Sequence, residues 1–259
     1  MTALVIVMIV LVIAAIVGAA IAVSALRAKE TRQFALQHGL MFDVGGWEPP
    51  DQRDYELFRR GDTRRWKDVM TGTWRGRPIT YCDYQYTERS VNSASGSTYM
   101  FSIVLMDLGC SIPQVAVKSR TLFGRLAEQT LGAPGIHFES TEFNERFNVH
   151  CADQRLALEV IDERMIQTLL ACERGLSVDF GPNRILVWSK RHTVQQLPAL
   201  LDQATSIAAR VPDLVMREYG APLAMLPPPS MAPPPPPPPL PETFPAAAPA
   251  APPPPPPPS

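Results

Sequence analysis

Residues 3–26 form a continuous apolar segment without a single charge, which a domain folded in water could not leave uncovered. An α-helix needs roughly 20 apolar residues to cross a hydrocarbon core about 30 Å thick, so the segment is long enough to span a bilayer. A cleaved signal peptide would have basic residues before a shorter apolar stretch, and this chain has neither. We therefore predict an uncleaved transmembrane signal anchor over residues 1–26 that contacts the lipid bilayer through residues 3–26.

The basic residues that follow the segment predict its orientation. Arg27, Lys29 and Arg32 come directly after it, whereas no Lys or Arg precedes it. Because the basic flank of a membrane helix generally stays in the cytoplasm, we predict a single-pass protein of the cell membrane with its body in the cytoplasm. The alternative orientation places the body outside, with the C-terminal tail as a stiff spacer through a cell wall.

The C-terminal tail, residues 222–259, is dominated by proline. Of the 29 prolines in the chain, 20 lie between Pro227 and Pro258, including uninterrupted runs at 233–239 and 252–258. Proline fixes φ near −65° and lacks an N–H group, so such runs form neither helix nor sheet and adopt extended polyproline II structure. The composition therefore predicts a disordered tail that is locally stiff.

A polyproline-binding protein is the candidate partner of this tail. Polyproline segments are already extended, so docking into an aromatic-lined groove costs little ordering entropy. An inert spacer is the alternative interpretation of the same composition. The candidate partner-binding residues are Pro233, Pro239, Leu240 and Phe244.

The middle of the chain, residues 27–221, carries nearly all of the charge. All 24 Lys and Arg residues and 24 of the 25 Asp and Glu residues lie within it, so the body is electrically neutral. Its densest basic stretch, residues 59–67, is interleaved with acidic side chains. A nucleic-acid-binding domain would show a basic excess or a basic stripe. We therefore expect no nucleic-acid partner.

Strand patterns in the body predict an α+β fold. Residues 27–38 continue the N-terminal helix, whereas residues 42–68 are rich in glycine, proline and charge and are predicted to be irregular. Residues 69–75 and 78–86 predict two strands joined by a tight turn. Residues 99–108 predict a central strand, because apolar side chains occupy both of its faces.

Hairpins, rather than regular crossovers, connect the predicted strands, which favours a mainly antiparallel sheet over a doubly wound fold. Residues 176–180 and 184–189 supply a second hairpin. Capping patterns predict several helices that cover the sheet, at residues 121–131, 153–170 and 193–210. The predicted organisation is an anchor (1–26), a juxtamembrane helix with an irregular segment (27–68), an α+β globular domain (69–221) and the disordered proline-rich tail (222–259).

No motif of enzyme or metal chemistry is present in the sequence. The four cysteines, Cys82, Cys110, Cys151 and Cys172, form no CxxC pair and have apolar neighbours, which favours free buried thiols. The four histidines form no HExxH motif, and there is neither a nucleophile elbow nor a glycine-rich phosphate loop. We therefore predict no catalytic residue, no cofactor and no metal site.

Two stretches of the body carry distinctive motifs, one over residues 142–149 followed by Asp153, and one upstream over residues 72–78. In these motifs the chain resembles an uncharacterised family of bacterial, mainly actinobacterial, single-pass membrane proteins. The resemblance extends over roughly residues 32–220 and implies an N-terminal membrane helix and a cytosolic-type domain, but it implies no activity, because the family is a domain of unknown function. Within the motif, Phe143, Phe147 and Val149 are expected in the core, and Asn144 or Asp153 at helix caps. The residues that carry the resemblance are Glu142, Phe143, Asn144, Phe147, Val149, Asp153, Ala157, Met165, Leu169 and Leu170, together with Gly72, Trp74, Gly76, Arg77, Pro78, Asp83, Tyr84 and Tyr86.

The sequence therefore favours a membrane-tethered, non-enzymatic interaction or scaffold protein whose proline-rich tail recruits a partner. The alternative is a small-molecule-binding sensor or an enzyme anchored at the membrane.

Overall fold

The N-terminal helix is long and has a defined end. In a computed structural model, helix α1, Thr2–Gln37, is unbroken over 36 residues. It ends in a Schellman motif, in which Gly39 has a φ of 69° and the N–H of Leu40 donates to the carbonyl of Ala35 at 2.8 Å. The predicted helical continuation over residues 27–38 is confirmed. The residues that the structure describes are 2–45, 47–49, 52–89, 96–120, 135–218 and 221–222.

An antiparallel sheet forms the centre of the body. Its eight strands are arranged in the order β1-β2-β3-β4-β9-β8-β6-β7, and every neighbouring pair is antiparallel. A separate two-stranded ribbon pairs β5 with β10. This arrangement confirms the predicted α+β class and the mainly antiparallel sheet. The strands are β1 (Met41–Gly45), β2 (Thr63–Trp74), β3 (Arg77–Glu88), β4 (Ser97–Asp107), β5 (Cys110–Ser111), β6 (Val115–Ser119), β7 (Phe147–Cys151), β8 (Ser177–Phe180), β9 (Arg184–Lys190) and β10 (Ala221–Pro222).

Short capped helices connect and cover the strands. Asp153 accepts from the N–H groups of the first turn of one helix, and Asp162 caps the next, so the predicted helical stretch 153–170 is divided in two. Thr193 and Gln196 form the predicted capping box, which opens a 3-10 turn before the last long helix. The helices are α2 (Glu56–Arg59), α3 (Thr141–Arg146), α4 (Gln154–Val160), α5 (Glu163–Ala171), α6 (Leu197–Ala208) and α7 (Asp213–Glu218), with 3-10 turns at Gln52–Asp54 and Val194–Gln196.

The two faces of the sheet belong to two separate apolar cores. On β4, Val104 and Met106 pack into a core with the helices, whereas Phe101, Ile103 and Leu105 belong to a second, aromatic-rich core. Strand geometry places alternate side chains on opposite faces, so the prediction that β4 is covered on both sides is confirmed. The helix-covered face also includes the end of α1 and the apolar sides of α4, α5 and α6.

The aromatic face is covered by the short segment around α2. Tyr55 and Phe58 of this segment meet edge to face, with ring centroids 5.6 Å apart, and Phe58 meets Tyr84 of β3 at 5.1 Å. The hydroxyl of Tyr55 donates to the carbonyl of Arg184 at 2.9 Å. Edge-to-face pairs add specific stabilisation to the area that they bury, so a few residues suffice to close this face.

The family-like motif behaves as expected in the core and differs at one cap. Phe143, Phe147 and Val149 are buried, and Asp153 is an N-cap. Asn144 is not a cap: it lies inside α3, and its amide donates to the carbonyl of Phe138 while its oxygen accepts from the Phe138 N–H. The cap of α3 is Ser140, whose hydroxyl accepts from the N–H of Phe143.

The segment predicted to be irregular, residues 42–68, contains β1, α2 and the first half of β2. The first half of β2 was not predicted because its residues are largely charged. Arg64 and Arg65 occupy exposed positions of this strand, while Trp66 is buried against Tyr84. This half of the strand shows neither a regular alternation of exposed and buried residues nor the β-branched run by which strands are recognised. The predicted helix at 121–131 and most of the tail lie outside the described residues.

Across the described residues, no helix combines the length and the apolarity that a membrane crossing requires. The predicted single-pass anchor is therefore not confirmed.

Candidate functional site

The last turns of α1 attach the helix to the sheet. Thr31, Phe34 and Ala35 are buried. The ring of Phe34 stacks on Trp74 of β2, with centroids 6.1 Å apart. The described side chains of α1 that precede Arg27 are all exposed. The helix therefore has two parts, one packed into the body and one extending from it.

A buried carboxylate, Asp83 of β3, lies where these two parts meet. Arg27 of α1 binds it in a bidentate manner, with Nε to Oδ2 and Nη2 to Oδ1 both at 3.1 Å. Arg191, just after β9, donates from Nε to Oδ2 at 2.7 Å. Burial by itself lowers the pKa of Arg27, but the adjacent carboxylate of Asp83 raises it above its ordinary value. One acid thus connects α1, β3 and the end of β9.

The hydroxyl groups of Tyr81 and Ser102 complete the hydrogen bonding of Asp83. Tyr81 donates its hydroxyl to Oδ1 of Asp83 and lies 3.0 Å from Oγ of Ser102. The N–H of His192 donates to the same Ser102 oxygen at 3.0 Å. Burial, and then the charge of Asp83, raise the pKa of Tyr81 well above its ordinary value. The phenol therefore stays protonated and serves as a donor. We call Arg27, Tyr81, Asp83, Ser102 and Arg191 the Asp83 network.

A second carboxylate adjoins the network at an irregularity of β2. The pairing register of β2 and β3 shifts between Lys67 and Met70, and Asp68 has a φ of 51°. A β-bulge of this kind redirects side chains. Burial, and then the charge of Asp83, raise the pKa of Asp68, while Arg191 and Arg27 oppose the shift.

A cavity of about 440 Å³ opens beside the Asp83 network. One wall comes from α1 and the other from strands β2, β3 and β4 and the end of β9. The cavity is therefore apolar on one side and charged on the other. Its lining residues are Ala19, Ala20, Val23, Ser24, Lys67, Asp83, Tyr84, Gln85, Met100 and Arg191.

A serine, a histidine and a glutamate form a second polar network behind the first. Nδ1 of His192 lies 3.1 Å from Oγ of Ser189, and its Nε2 lies 2.8 Å from Oε2 of Glu173. Nucleophilic catalysis requires a hydroxyl that a substrate can reach, and Ser189 is only 2% exposed. Burial raises the pKa of Glu173, but the hydrogen bond and charge of His192, together with the hydrogen bond of Ser189, outweigh burial, so the pKa is lowered. The network joins β9 to the chain after α5 and is structural.

A buried ion pair lies on the opposite face of the sheet. Nζ of Lys118 is 2.6 Å from Oδ1 of Asp179, and Nε1 of Trp188 donates to Oδ2 of Asp179 at 3.0 Å. Nearby, both ring nitrogens of His150 are buried without a hydrogen-bond partner among the described residues. Burial, and then the charge of Lys118, lower the pKa of His150, which favours its neutral form.

The thiols fit a structural role. Cys82 and Cys172 are buried, Cys151 is half-buried, and all three are free, as predicted; the Cys110 side chain lies outside the described residues. Burial raises the pKa of Cys172 to about 11, and a thiol with a raised pKa is a poor nucleophile. Among the described residues, no group of three His, Cys, Asp or Glu side chains could hold a metal ion.

The residues proposed from sequence as partner-binding, Pro233, Pro239, Leu240 and Phe244, lie outside the described residues. The Asp83 network was missed. A signal for it exists in the sequence, because Ile79, Tyr81 and Asp83 alternate along β3 and place one acid on an otherwise apolar strand face. Its partners Arg27 and Arg191 are 164 positions apart (191 − 27), and nothing in the sequence pairs them.

The fold consists of an eight-stranded antiparallel sheet covered mainly by helices on one face, with a long N-terminal helix. No protein-family model matches the sequence, and no curated protein matches it either. One solved structure with a similar fold is the crystal structure of the mycobacterial trehalose monomycolate transport factor A, TtfA. It is 14% identical in sequence, with a TM-score of 0.50, and the match covers 76% of this chain and 97% of that one. At this identity the similarity concerns the fold alone.

Proposed function

We propose that this protein is a membrane-associated, non-enzymatic scaffold that uses the exposed apolar part of α1 to contact a bilayer. The observation that carries the proposal is the distribution of exposed apolar side chains. Large hydrophobic residues more than half exposed follow one another along α1, at Val5, Val7, Met8, Leu11, Val12, Ile16, Val17, Ile21, Val23 and Leu26.

An exposed apolar helix surface of this length is stabilised when lipid or another protein shields it from water. Burying apolar area is worth about 25 cal/mol per Å², and a continuous exposed patch marks a membrane or protein contact. The exposed basic residues Lys29 and Arg32 adjoin the patch and would favour the anionic surface of a bilayer. The single-pass topology with a cytoplasmic body, expected from the sequence, is the more specific form of this proposal.

The polar networks support a scaffold more than an enzyme. Ser189 and the thiols of Cys82 and Cys172 are buried in structural positions. The protein of similar fold, TtfA, is a transport factor, and an accessory role in membrane-associated transport is compatible with a scaffold. In this proposal the proline-rich tail recruits a further protein to the membrane.

Fractionation of cells that express the full chain tests the proposal. We expect the protein in the membrane pellet after an alkaline carbonate wash. The variant Leu11→Asp with Ile16→Asp should leave the pellet, because charged groups are costly in a bilayer. The matched control is Leu158→Asp with Leu214→Asp, which changes two half-exposed leucines of the body and should stay in the pellet. Recovery of the unaltered chain in the supernatant, or equal behaviour of both variants, contradicts the proposal.

A further inference from the structure

The cavity beside the Asp83 network joins a helix wall to a charged sheet wall. We propose that it binds the anionic headgroup of a membrane lipid, whose apolar chains lie along α1. This inference rests on the proposed membrane association and adds a ligand class and a site to it.

The helix side of the cavity is formed by Val23 and three small side chains. Ala19, Ala20 and Ser24 lie on neighbouring positions of α1 and leave space between the helix and the sheet. The resulting volume of about 440 Å³ falls within the roughly 300–1,000 Å³ of typical small-molecule sites. It is large enough for a headgroup but not for complete acyl chains. The chains would therefore continue outside the cavity, along the exposed apolar part of α1.

The sheet side of the cavity carries an excess of positive charge. Lys67 lines it and has no ion-pair partner among the residues that the structure describes. Arg191 also lines it and uses Nε for Asp83, while its Nη1 lies 3.6 Å from the sulfur of Met100. With Arg27 of the Asp83 network, three cations lie near the carboxylates of Asp83 and Asp68. The cations therefore exceed the carboxylates by one. Charge complementarity therefore selects an anion.

The position of the cavity selects a lipid over a free anion. It lies at residues 19–24, where the exposed apolar part of α1 ends and the basic residues begin. The boundary between apolar and basic residues is where the headgroup layer of a bilayer meets a membrane-contacting helix. A free phosphate would use the cations alone, whereas a lipid uses both walls and the adjoining helix surface.

Native mass spectrometry of the full chain in detergent, with added phosphatidylglycerol or phosphatidylcholine, tests the site. We expect retention of phosphatidylglycerol and about tenfold weaker retention of phosphatidylcholine. Ala20→Phe fills the cavity, and Lys67→Glu reverses the charge at the lysine of its lining. Each should weaken phosphatidylglycerol binding by about tenfold or more. Glycerol phosphate, the headgroup without its chains, should compete only weakly.

Two matched controls accompany these variants. Ala22→Phe makes the same change about 200° around the helix from Ala20, at an exposed position. Lys190→Glu reverses an exposed lysine on the other side of the sheet. Both should bind phosphatidylglycerol as the unaltered chain does. Equal retention of the two lipids, equal binding by Ala20→Phe and Ala22→Phe, or equal competition by glycerol phosphate and the lipid would overturn the proposal.

Flotation with phosphatidylcholine vesicles separates this inference from the proposed function. Ala20→Phe and Lys67→Glu should still float, because the apolar part of α1 is intact. If they float and phosphatidylglycerol selectivity is absent, only the headgroup site is wrong. If the unaltered chain does not float, the proposed membrane association is wrong.

Discussion

At the scale of single residues, the molecule places like charges together beside α1. Asp68 and Asp83 are both buried, and the charge of Asp83 raises the cost of ionising Asp68. Arg27 and Arg191 compensate Asp83 directly, whereas Asp68 has the more distant attraction of Arg191, Arg27 and Lys67. The uncompensated member of the pair is therefore Asp68, and it should limit stability at neutral pH.

Asp68→Asn should stabilise the protein by on the order of 1 kcal/mol at neutral pH. The pKa of Asp68 is raised in the folded state, so folding favours its protonated form. Its contribution is fully favourable below the unfolded pKa of about 3.9 and is lost as pH rises through the higher folded pKa. The gain from the amide should therefore appear as pH rises through this range and vanish in acid. Asparagine also tolerates the positive φ of this position.

Urea unfolding of the full chain in detergent, from acid to neutral pH, measures this difference. Asp54→Asn is the control, since Asp54 is exposed, and its effect should be within about 0.5 kcal/mol. A stabilisation by Asp68→Asn that does not change with pH would count against the electrostatic explanation.

At the scale of elements, the question is what holds α1 against the sheet. Phe34 and Ala35 supply apolar contact, and the Arg27–Asp83 pair supplies a buried ionic one. Removing one partner of a buried pair leaves an uncompensated charge, whereas an exposed pair contributes little. The Arg184–Asp107 pair provides the exposed comparison, because the Asp107 side chain is 60% exposed and that of Asp83 is 7% exposed.

Asp83→Asn should therefore cost about 3 kcal/mol of unfolding free energy, and Asp107→Asn less than about 1 kcal/mol. Tryptic cleavage after Arg27 and Lys29 should be faster in Asp83→Asn, because α1 is held less firmly. Urea unfolding and timed proteolysis of the full chain provide the two measurements. Equal costs for the two variants would show that Asp83 does not hold α1.

The sequence predicts those elements that local patterns determine. Gly39 marks the end of α1, Asp153 and Asp162 are found as caps, and the apolar alternation of β4 identifies a strand covered on two faces. Such signals need only neighbouring residues.

What the sequence does not predict depends on contacts between distant residues. The first half of β2 is a strand because Trp66 packs against Tyr84 of its neighbour. The site depends on Asp83 meeting Arg27 of one element and Arg191 of another. Contacts between residues distant in the sequence leave no periodic pattern in it. A strand rich in charged residues therefore resembles an irregular segment, and a buried acid cannot be told from an exposed one.

At the scale of the whole molecule, segments of different composition are joined end to end. The described residues from α1 to β10 form the folded part, and the tail is predicted from its prolines to be disordered. Strand β10 pairs Ala221 with Ser111 of β5, so the folded part extends at least to this strand. The tail should add nothing to its stability.

A chain truncated after residue 224 should therefore unfold with the same free energy as the full chain, within about 0.5 kcal/mol. A chain truncated after residue 212 is the control. It lacks α7 with the buried Val215 and also lacks β10, and it should lose about 2 kcal/mol or more. Circular dichroism in a urea series measures both, and the spectrum lost on the first truncation should be that of polyproline II. A large loss of stability on the first truncation would contradict the predicted disorder.

The unbroken course of α1 has a mechanical consequence. Each residue advances an α-helix by about 100°, so the contact of Arg27 with Asp83 fixes the rotational phase of every side chain before it. In a helix without a hinge, a tilt or rotation at one end is transmitted to the other. If α1 contacts a bilayer as proposed, the orientation of the sheet relative to the membrane would follow the orientation of this helix.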